Sequence, residues 1–246
     1  MNRYRVALAG IFLMLGAEWP CPRPSYAEGT GKARVSAVPS PRQLCERLSQ
    51  LSGGAAVTPA DKSDSLKHCI AIETSEQKLG RDHWRCYSSC LTNSHTEEAA
   101  LACDTSCPLP ELKLDCDATL LAADVGESFS GSATASKQEV RASFCGRSFA
   151  INGDEVVVSA GVHRTMRGLY LYIEEPPAPG TEVETAAGLG DRAIRFGTIL
   201  PGGGHECGVK FAQRRIGVNI TVRPKLPGCP FALLERLAMR IAKRLP

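Results

Sequence analysis

The chain has 246 residues, of which 43% are hydrophobic and 22% charged, with 23 glycines, 16 prolines and 11 cysteines. These values exclude a disordered chain, a collagen-like repeat and a long coiled coil, and they fit one or two globular domains. Eleven cysteines are too many for a typical protein of a reducing compartment unless they bind metal, so cysteine usage is the first feature to explain.

The N-terminal segment has the pattern of a signal peptide. Arg3 and Arg5 precede an apolar run over residues 6–17, which is too short to span a bilayer. Small residues at Ser25 and Ala27 stand three and one positions before a cut that would leave Glu28 first. We therefore predict a signal peptide over residues 1–27, export to the periplasm or the exterior, and no transmembrane segment.

Removal of this segment changes the charge and the cysteine count. Cys21 follows Glu18, Trp19 and Pro20 rather than the apolar and small-residue box of a lipoprotein, which favours removal with the signal over lipid modification. The formal net charge is +3, but the first 27 residues hold three arginines and one glutamate. The remaining near-neutral chain does not support a nucleic-acid partner. Its ten cysteines are the even number that five disulfides require.

A helical, cysteine-rich domain is predicted over residues 41–110. It follows a linker at residues 28–40 that lacks aromatic and long apolar side chains. Apolar spacing, capping residues and glycines predict four helices. They begin at Pro41, after Asp61 or Ser63, at Trp84 and at Glu97, and they end near Gly53, Gly80, Leu91 and Cys103 respectively.

Two C-x3-C pairs form the most specific pattern in the chain. Cys86 and Cys90 are followed by Cys103 and Cys107, and residues four apart lie on the same face of a helix. In an antiparallel hairpin, the outer pair Cys86–Cys107 and the inner pair Cys90–Cys103 each come within disulfide reach. Cys45 and Cys69 then remain to join the first two helices.

Residues 82–108 resemble the disulfide-linked helical hairpins of several small exported proteins, a resemblance that implies a scaffold and no activity. The competing interpretation is a zinc site formed by His83, Cys86, Cys90 and His95. An oxidising compartment and an even number of cysteines favour disulfides over zinc.

An α+β domain is predicted over residues 111–246, after the sequence Pro108-Leu109-Pro110. It begins with a helix over residues 112–125 and ends with an amphipathic helix over residues 231–245 that we expect to pack on a sheet rather than on a membrane. Between them, alternating or β-branched runs predict mostly antiparallel strands at residues 140–149, 155–160, 168–173, 192–196, 207–211 and 216–222.

Four cysteines fall in this second domain. Pairing Cys207 with Cys229 would bracket a strand pair and fix the start of the closing helix, which leaves Cys116 to bind Cys145. Four cysteines allow three pairings, and the sequence does not decide among them.

Residues 112–246 also carry a family likeness. The run Gly188-Leu189-Gly190-Asp191-Arg192-Ala193 and the closing helix to Pro246 resemble exported bacterial envelope proteins of uncharacterised function that share a PsbP-like sandwich. The resemblance implies a non-catalytic envelope protein. The proline-rich stretch at residues 174–184 departs from the pattern, where such domains often place a further helix, so no binding residue is carried over.

Motifs for catalysis are sparse. The chain lacks G-x-S-x-G, H-E-x-x-H and G-x-x-x-x-G-K-[ST]. Ser75 and Lys78 have the S-x-x-K spacing of one acyl-enzyme motif without its partner motifs, which favours a solvated helix face. His68 and His163 are predicted to be surface residues.

The sequence therefore predicts an exported, disulfide-stabilised binding module with an envelope protein or glycan as partner. No catalytic, cofactor or metal residue is assigned. The alternative is a secreted hydrolase or thiol-disulfide protein with a dispersed site, for which His205, Glu206 and Asp191 are the first residues to test.

Overall fold

A computed structural model describes residues 38–51, 59–141, 143–200, 204–225 and 228–246. The predicted signal peptide, Cys21 and most of the predicted linker lie outside these residues. The described helices are α1 (Pro41–Leu51), α2 (Pro59–Gln77), α3 (Arg81–Asn93), α4 (Glu97–Ser106), α5 (Cys116–Thr119), α6 (Ala122–Phe129), α7 (Met166–Glu174) and α8 (Phe231–Ala242). The described strands are β1 (Thr134–Arg141), β2 (Phe144–Ile151), β3 (Asp154–Val162), β4 (Glu182–Thr185), β5 (Arg192–Ile199), β6 (His205–Gln213) and β7 (Ile216–Arg223).

The seven strands form one antiparallel sheet in the order β1-β2-β3-β7-β6-β5-β4. The expected α+β class with an antiparallel sheet is confirmed. Two-residue loops join β2 to β3 at Asn152-Gly153 and β6 to β7 at Arg214-Arg215. Asn152 and Gly153 both have positive φ, at 52° and 83°, as a type I′ turn requires.

Helices cover both faces of the centre of the sheet. Phe211 of β6 belongs to the large core shared with α6 and α8, whereas the next residue, Ala212, packs with α7 and Ile72 of α2. Successive side chains of a strand point to opposite faces, so α7 and α8 lie on opposite sides of β6. The α7 side of the sheet carries the candidate site.

The structure corrects the strand predicted at residues 168–173, which is helix α7. Thr165 caps this helix, and its hydroxyl accepts a hydrogen bond from the Gly168 N–H at 3.0 Å. Met166, Leu169, Tyr170 and Ile173 are all buried, at the i, i+3, i+4, i+7 spacing of a helix face. The alternation in Gly168-Leu-Tyr-Leu-Tyr-Ile is compatible with a strand. The residues that the tertiary structure buries follow the 3.6-residue period of a helix instead, and this burial selects the helix.

Other boundaries also differ from the predicted ones. The strand predicted at residues 140–149 includes the end of β1 and most of β2, so it spans the chain reversal between them. Strands β1 and β4 lack the apolar alternation that predicts a strand, because every residue in them is exposed. The helix predicted at residues 112–125 is two short helices, α5 and α6. Asp115 caps α5 by accepting hydrogen bonds from the N–H groups of Asp117 and Ala118.

Disulfide bonds are present, as expected: five bonds link ten cysteines. Their Cα separations are 5.4–5.8 Å. The bonded pairs are Cys45–Cys69, Cys86–Cys107, Cys90–Cys103, Cys116–Cys145 and Cys207–Cys229.

The closing helix α8 is packed against protein. Leu234, Leu237, Ala238 and Ile241 are buried in the large core beside α6 and the sheet. Among the described residues, no helix combines the length and the apolar character needed to cross a membrane.

Candidate functional site

A cavity of about 420 Å³ lies where the end of α2 meets α7 and the β6–β7 loop, and we call it the basic cavity. Its polar lining consists of Ser75, Lys78, Asp191, Arg214 and Arg215. Its apolar lining consists of Leu79, Pro110, Leu112 and Met166. Small-molecule sites commonly combine such a volume with a largely apolar wall and a few convergent polar groups.

Backbone geometry fixes the acidic side of the basic cavity. Gly190 has φ 59°, and a Cβ atom built on it would lie 2.2 Å from the carbonyl oxygen of Ala212, so only glycine fits this approach. The next N–H, of Asp191, donates to the same oxygen at 2.7 Å. The Asp191 carboxylate then accepts the Arg214 N–H at 2.7 Å. Gly190 and Asp191, within the Gly188–Ala193 run, therefore connect the start of β5 to the end of β6 and the β6–β7 loop.

Arg215 is a nearly buried cation, with 7% of its surface exposed. Its guanidinium donates to the carbonyl oxygens of Pro110 and, at 3.5 Å, His163. Burial lowers the pKa of this guanidinium, while the nearby Glu76 carboxylate acts in the opposite direction. Carbonyl oxygens satisfy N–H donors without neutralising a charge, so Arg215 keeps a net positive charge beside the cavity.

Arg214 adopts a backbone conformation that side chains other than glycine rarely occupy, with φ 53°. It is the first residue of the two-residue β6–β7 loop, and glycine, asparagine and aspartate predominate at such positions. An arginine is therefore held there at a conformational cost. Such outliers concentrate at functional sites.

Ser75 and Tyr170 form a buried hydroxyl pair at the wall of the cavity. Their oxygens are 2.8 Å apart, and Ser75 is 8% exposed. Activation of a serine requires a neighbouring base. Burial raises the pKa of Tyr170, so its phenol stays protonated and no phenolate is available to take the Ser75 proton. Lys78 of the S-x-x-K pattern is exposed and also lines the cavity. The pair is suited to hydrogen bonding rather than to nucleophilic attack.

A cluster of buried ionisable side chains lies beside the cavity, between α2, α3, α4 and α7. Glu73 has no exposed surface; one carboxylate oxygen accepts the Tyr87 hydroxyl at 3.3 Å and lies 3.7 Å from the Arg167 guanidinium. Its other oxygen has no hydrogen-bond partner among the described residues. Burial raises the pKa of Glu73 to about 7, with the Glu76 and Asp104 carboxylates acting in the same direction and Arg167 opposing them.

Glu76 connects this cluster to α7 and to α3. One of its oxygens lies 2.6 Å from His83 Nε2, and the other accepts the Met166 N–H at 3.1 Å. The second ring nitrogen of His83 lies 3.1 Å from the Pro108 carbonyl oxygen. These contacts position Met166 in the wall of the basic cavity and join α2 and α3 to α7.

The residues predicted for a dispersed catalytic site are not brought together. Asp191 precedes β5, and His205 pairs with Ile199 at the far end of that strand. At about 3.3 Å per residue the strand separates them by roughly 23 Å. Glu206 forms an ion pair with Arg223 at 2.9 Å. Of the three, only Asp191 lines the basic cavity.

The other histidines and the residues of the zinc alternative have separate environments. Cys86 and Cys90 are both in disulfides, and His83 contacts Glu76. His95 is exposed, and no group of three or more metal-ligating side chains occurs within the described ranges. His68 lies 3.6 Å from Glu174, and half-buried His163 has its pKa lowered by burial.

Sequence reasoning did not identify Arg214 and Arg215 as site residues. The available signal was their position between two strands in a loop without glycine, asparagine or aspartate, where turn chemistry favours those residues. The Glu73 and Glu76 cluster gave no signal because acidic residues on a helix usually face water.

Comparison with protein-family models, with curated proteins and with solved structures finds no match for the chain.

Proposed function

We propose that the chain is an exported, non-catalytic binding module of the bacterial cell envelope, with an envelope protein or glycan as its partner. In this proposal, residues 1–27 are a signal peptide, residues 41–110 form a small helical domain stabilised by disulfides, and residues 111–246 form the sheet domain. The PsbP-like resemblance of residues 112–246 supports the same assignment. The five disulfides are compatible with an oxidising compartment.

The observation that carries a binding function is the basic cavity itself. It combines an apolar wall with convergent cationic groups, which suits recognition of a ligand. A hydrolase would need a base within hydrogen-bond reach of Ser75, and its described neighbour is the phenol of Tyr170. The disulfides hold the surrounding helices in place, which reduces the conformational entropy lost on binding.

Analysis of the protein from its producing cell tests the compartment. We expect a mature chain that begins at Glu28 and releases ten thiols after reduction, with no free thiol before it. A chain that retains residues 1–27, or free thiols together with bound zinc, would contradict export and disulfide stabilisation.

A sedimentation experiment tests binding against catalysis. We expect the mature chain to sediment with purified insoluble peptidoglycan without releasing soluble fragments, and to leave p-nitrophenyl butyrate intact. A chain that stays in the supernatant would contradict the glycan partner. Hydrolysis of either compound that disappears in Ser75→Ala, while Ser89→Ala retains it, would favour the secreted hydrolase.

A further inference from the structure

We infer that the basic cavity binds a small organic anion, in which a carboxylate or phosphate group is attached to an apolar body. This inference rests on the proposed binding function and specifies the chemistry that the protein recognises. The ligand is either a free metabolite or the terminal group of a larger envelope molecule, because both present the same anionic group.

The basic cavity holds an excess of unpaired positive charge. Lys78, Arg214 and Arg215 line the cavity against the carboxylate of Asp191. None of the three cations has an ion pair within 4.0 Å in the described part of the chain. Elsewhere, the exposed Arg42 and Arg223 each pair with a carboxylate. A ligand with a negative charge would supply the missing partner.

Arg215 is the cation that most needs an opposite charge, because it is nearly buried. A cation withdrawn from water costs free energy unless an opposite charge compensates it. The Glu76 carboxylate nearby is already engaged by His83 and by the Met166 N–H. A planar guanidinium also presents paired N–H groups that match a carboxylate or a phosphate.

Arg214 provides independent support from backbone strain. The equivalent first position of the β2–β3 loop is Asn152, at φ 52°, and asparagine tolerates this region. Arginine at φ 53° lacks that tolerance, yet it stands where its charge lines the cavity. Retention of a cation at a position that favours glycine is explained if the charge contacts a ligand.

The apolar wall defines the rest of the ligand. Leu79, Leu112 and Met166 are partly or fully buried beside the cations. An inorganic anion would leave this wall in contact with water, whereas a short aliphatic or aromatic body would cover it. Burial of each methylene group contributes about 0.8 kcal/mol.

Isothermal titration calorimetry of the mature, oxidised chain with matched probes tests the inference. We expect hexyl phosphate or hexanoate to bind at least tenfold more tightly than 1-hexanol and inorganic phosphate. The affinity for the anion should fall with increasing salt, because exposed Lys78 and Arg214 contribute charge that ions screen. Pre-incubation with hexyl phosphate should also reduce sedimentation with peptidoglycan if the anionic group belongs to that polymer.

Arg214→Gly is the decisive variant because glycine favours φ 53° and should preserve or raise stability while it removes the charge. We expect it to weaken binding of hexyl phosphate at least tenfold, and Lys78→Ala to weaken it severalfold. Lys137→Ala, on the exposed strand β1, removes the same kind of charge away from the cavity and should change nothing. Circular dichroism establishes that each variant is folded.

Four results would overturn the inference. Equal binding of 1-hexanol and the anions would define an apolar site, and equal binding of inorganic phosphate would remove the need for an apolar body. Failure of every probe to bind, or Arg214→Gly binding like the unmodified chain, would contradict the assigned site. These results concern the anion site alone. The proposed binding to the envelope is tested by sedimentation with peptidoglycan, which does not depend on the outcome of the calorimetry.

Discussion

Glu73 is the residue whose environment departs furthest from that of a helix-surface acid. It is fully buried, with a hydrogen bond from Tyr87 and an Arg167 guanidinium 3.7 Å away. Burial raises its pKa from 4.5 to about 7, so the folded protein holds a proton that the unfolded chain releases between these values. A raised pKa in the folded state stabilises the protein at low pH, and this contribution is lost as the pH rises through about 7.

Replacement of Glu73 by glutamine should remove this pH dependence. From pH 4.5 to pH 8, the free energy of unfolding of the unmodified chain should fall relative to Glu73→Gln by on the order of 3 kcal/mol. Urea denaturation at a series of pH values measures the difference. Glu98→Gln, at an exposed position of α4, is the control and should follow the unmodified chain. Parallel pH profiles for Glu73→Gln and the unmodified chain would show that the pKa of Glu73 does not change on folding.

The two hairpin loops illustrate how much a residue pair predicts. Asn152-Gly153 has the composition of a type I′ turn, and both residues have positive φ. Arg214-Arg215 has no such signature, although Arg214 also has positive φ. Turn propensity therefore locates the first loop and gives no indication of the second, where neighbouring strands impose the conformation.

At the scale of elements, helix α7 shows the limit of local periodicity. Gly168–Ile173 alternates in a way that suits a strand, but the Thr165 cap and packing of α7 against β5, β6 and β7 select the helix. Strand β1 is the opposite case, because its eight exposed residues contain no apolar alternation. Pairing with β2 along its whole length makes it a strand.

The inner disulfide of the α3–α4 hairpin should contribute a large part of the stability of these helices. Cys90 and Cys103 are 13 residues apart, and closing a loop of this size lowers the free energy of folding by about 3 kcal/mol. We expect Cys90→Ala/Cys103→Ala to lose about that amount in urea denaturation followed by far-ultraviolet circular dichroism. Ser89→Ala and Thr105→Ala change exposed neighbours and should have little effect. An unchanged midpoint in the double variant would contradict a stabilising role.

At the scale of the whole molecule, coverage by helices differs greatly across the sheet. Eleven residues of the central strands β6 and β7 are buried, whereas every residue of the edge strands β1 and β4 is exposed. Charged side chains on β1, including Lys137, Glu139 and Arg141, oppose pairing of that edge with another chain.

Hydrogen exchange should follow this gradient. We expect the amides of β6 and β7 to exchange slowest, because their opening requires disruption of both packed faces. The amides of the edge strands β1 and β4 should exchange fastest among the described strands, since each of these strands pairs with one neighbour only. Mass spectrometry of peptic fragments measures both, and protection of residues 134–141 equal to that of residues 207–212 would contradict the gradient.

The sequence by itself determined the class of the fold, the expectation of disulfides and the positions of most helices and central strands. Apolar periodicity, cysteine spacing and turn residues act over a few neighbours, so these features can be read from a single chain. Tertiary structure decided that residues 168–173 form a helix and that polar segments complete the sheet. It also brought Ser75, Asp191 and Arg214 together from distant parts of the chain. The basic cavity depends on contacts between residues more than one hundred positions apart, and no local pattern encodes them.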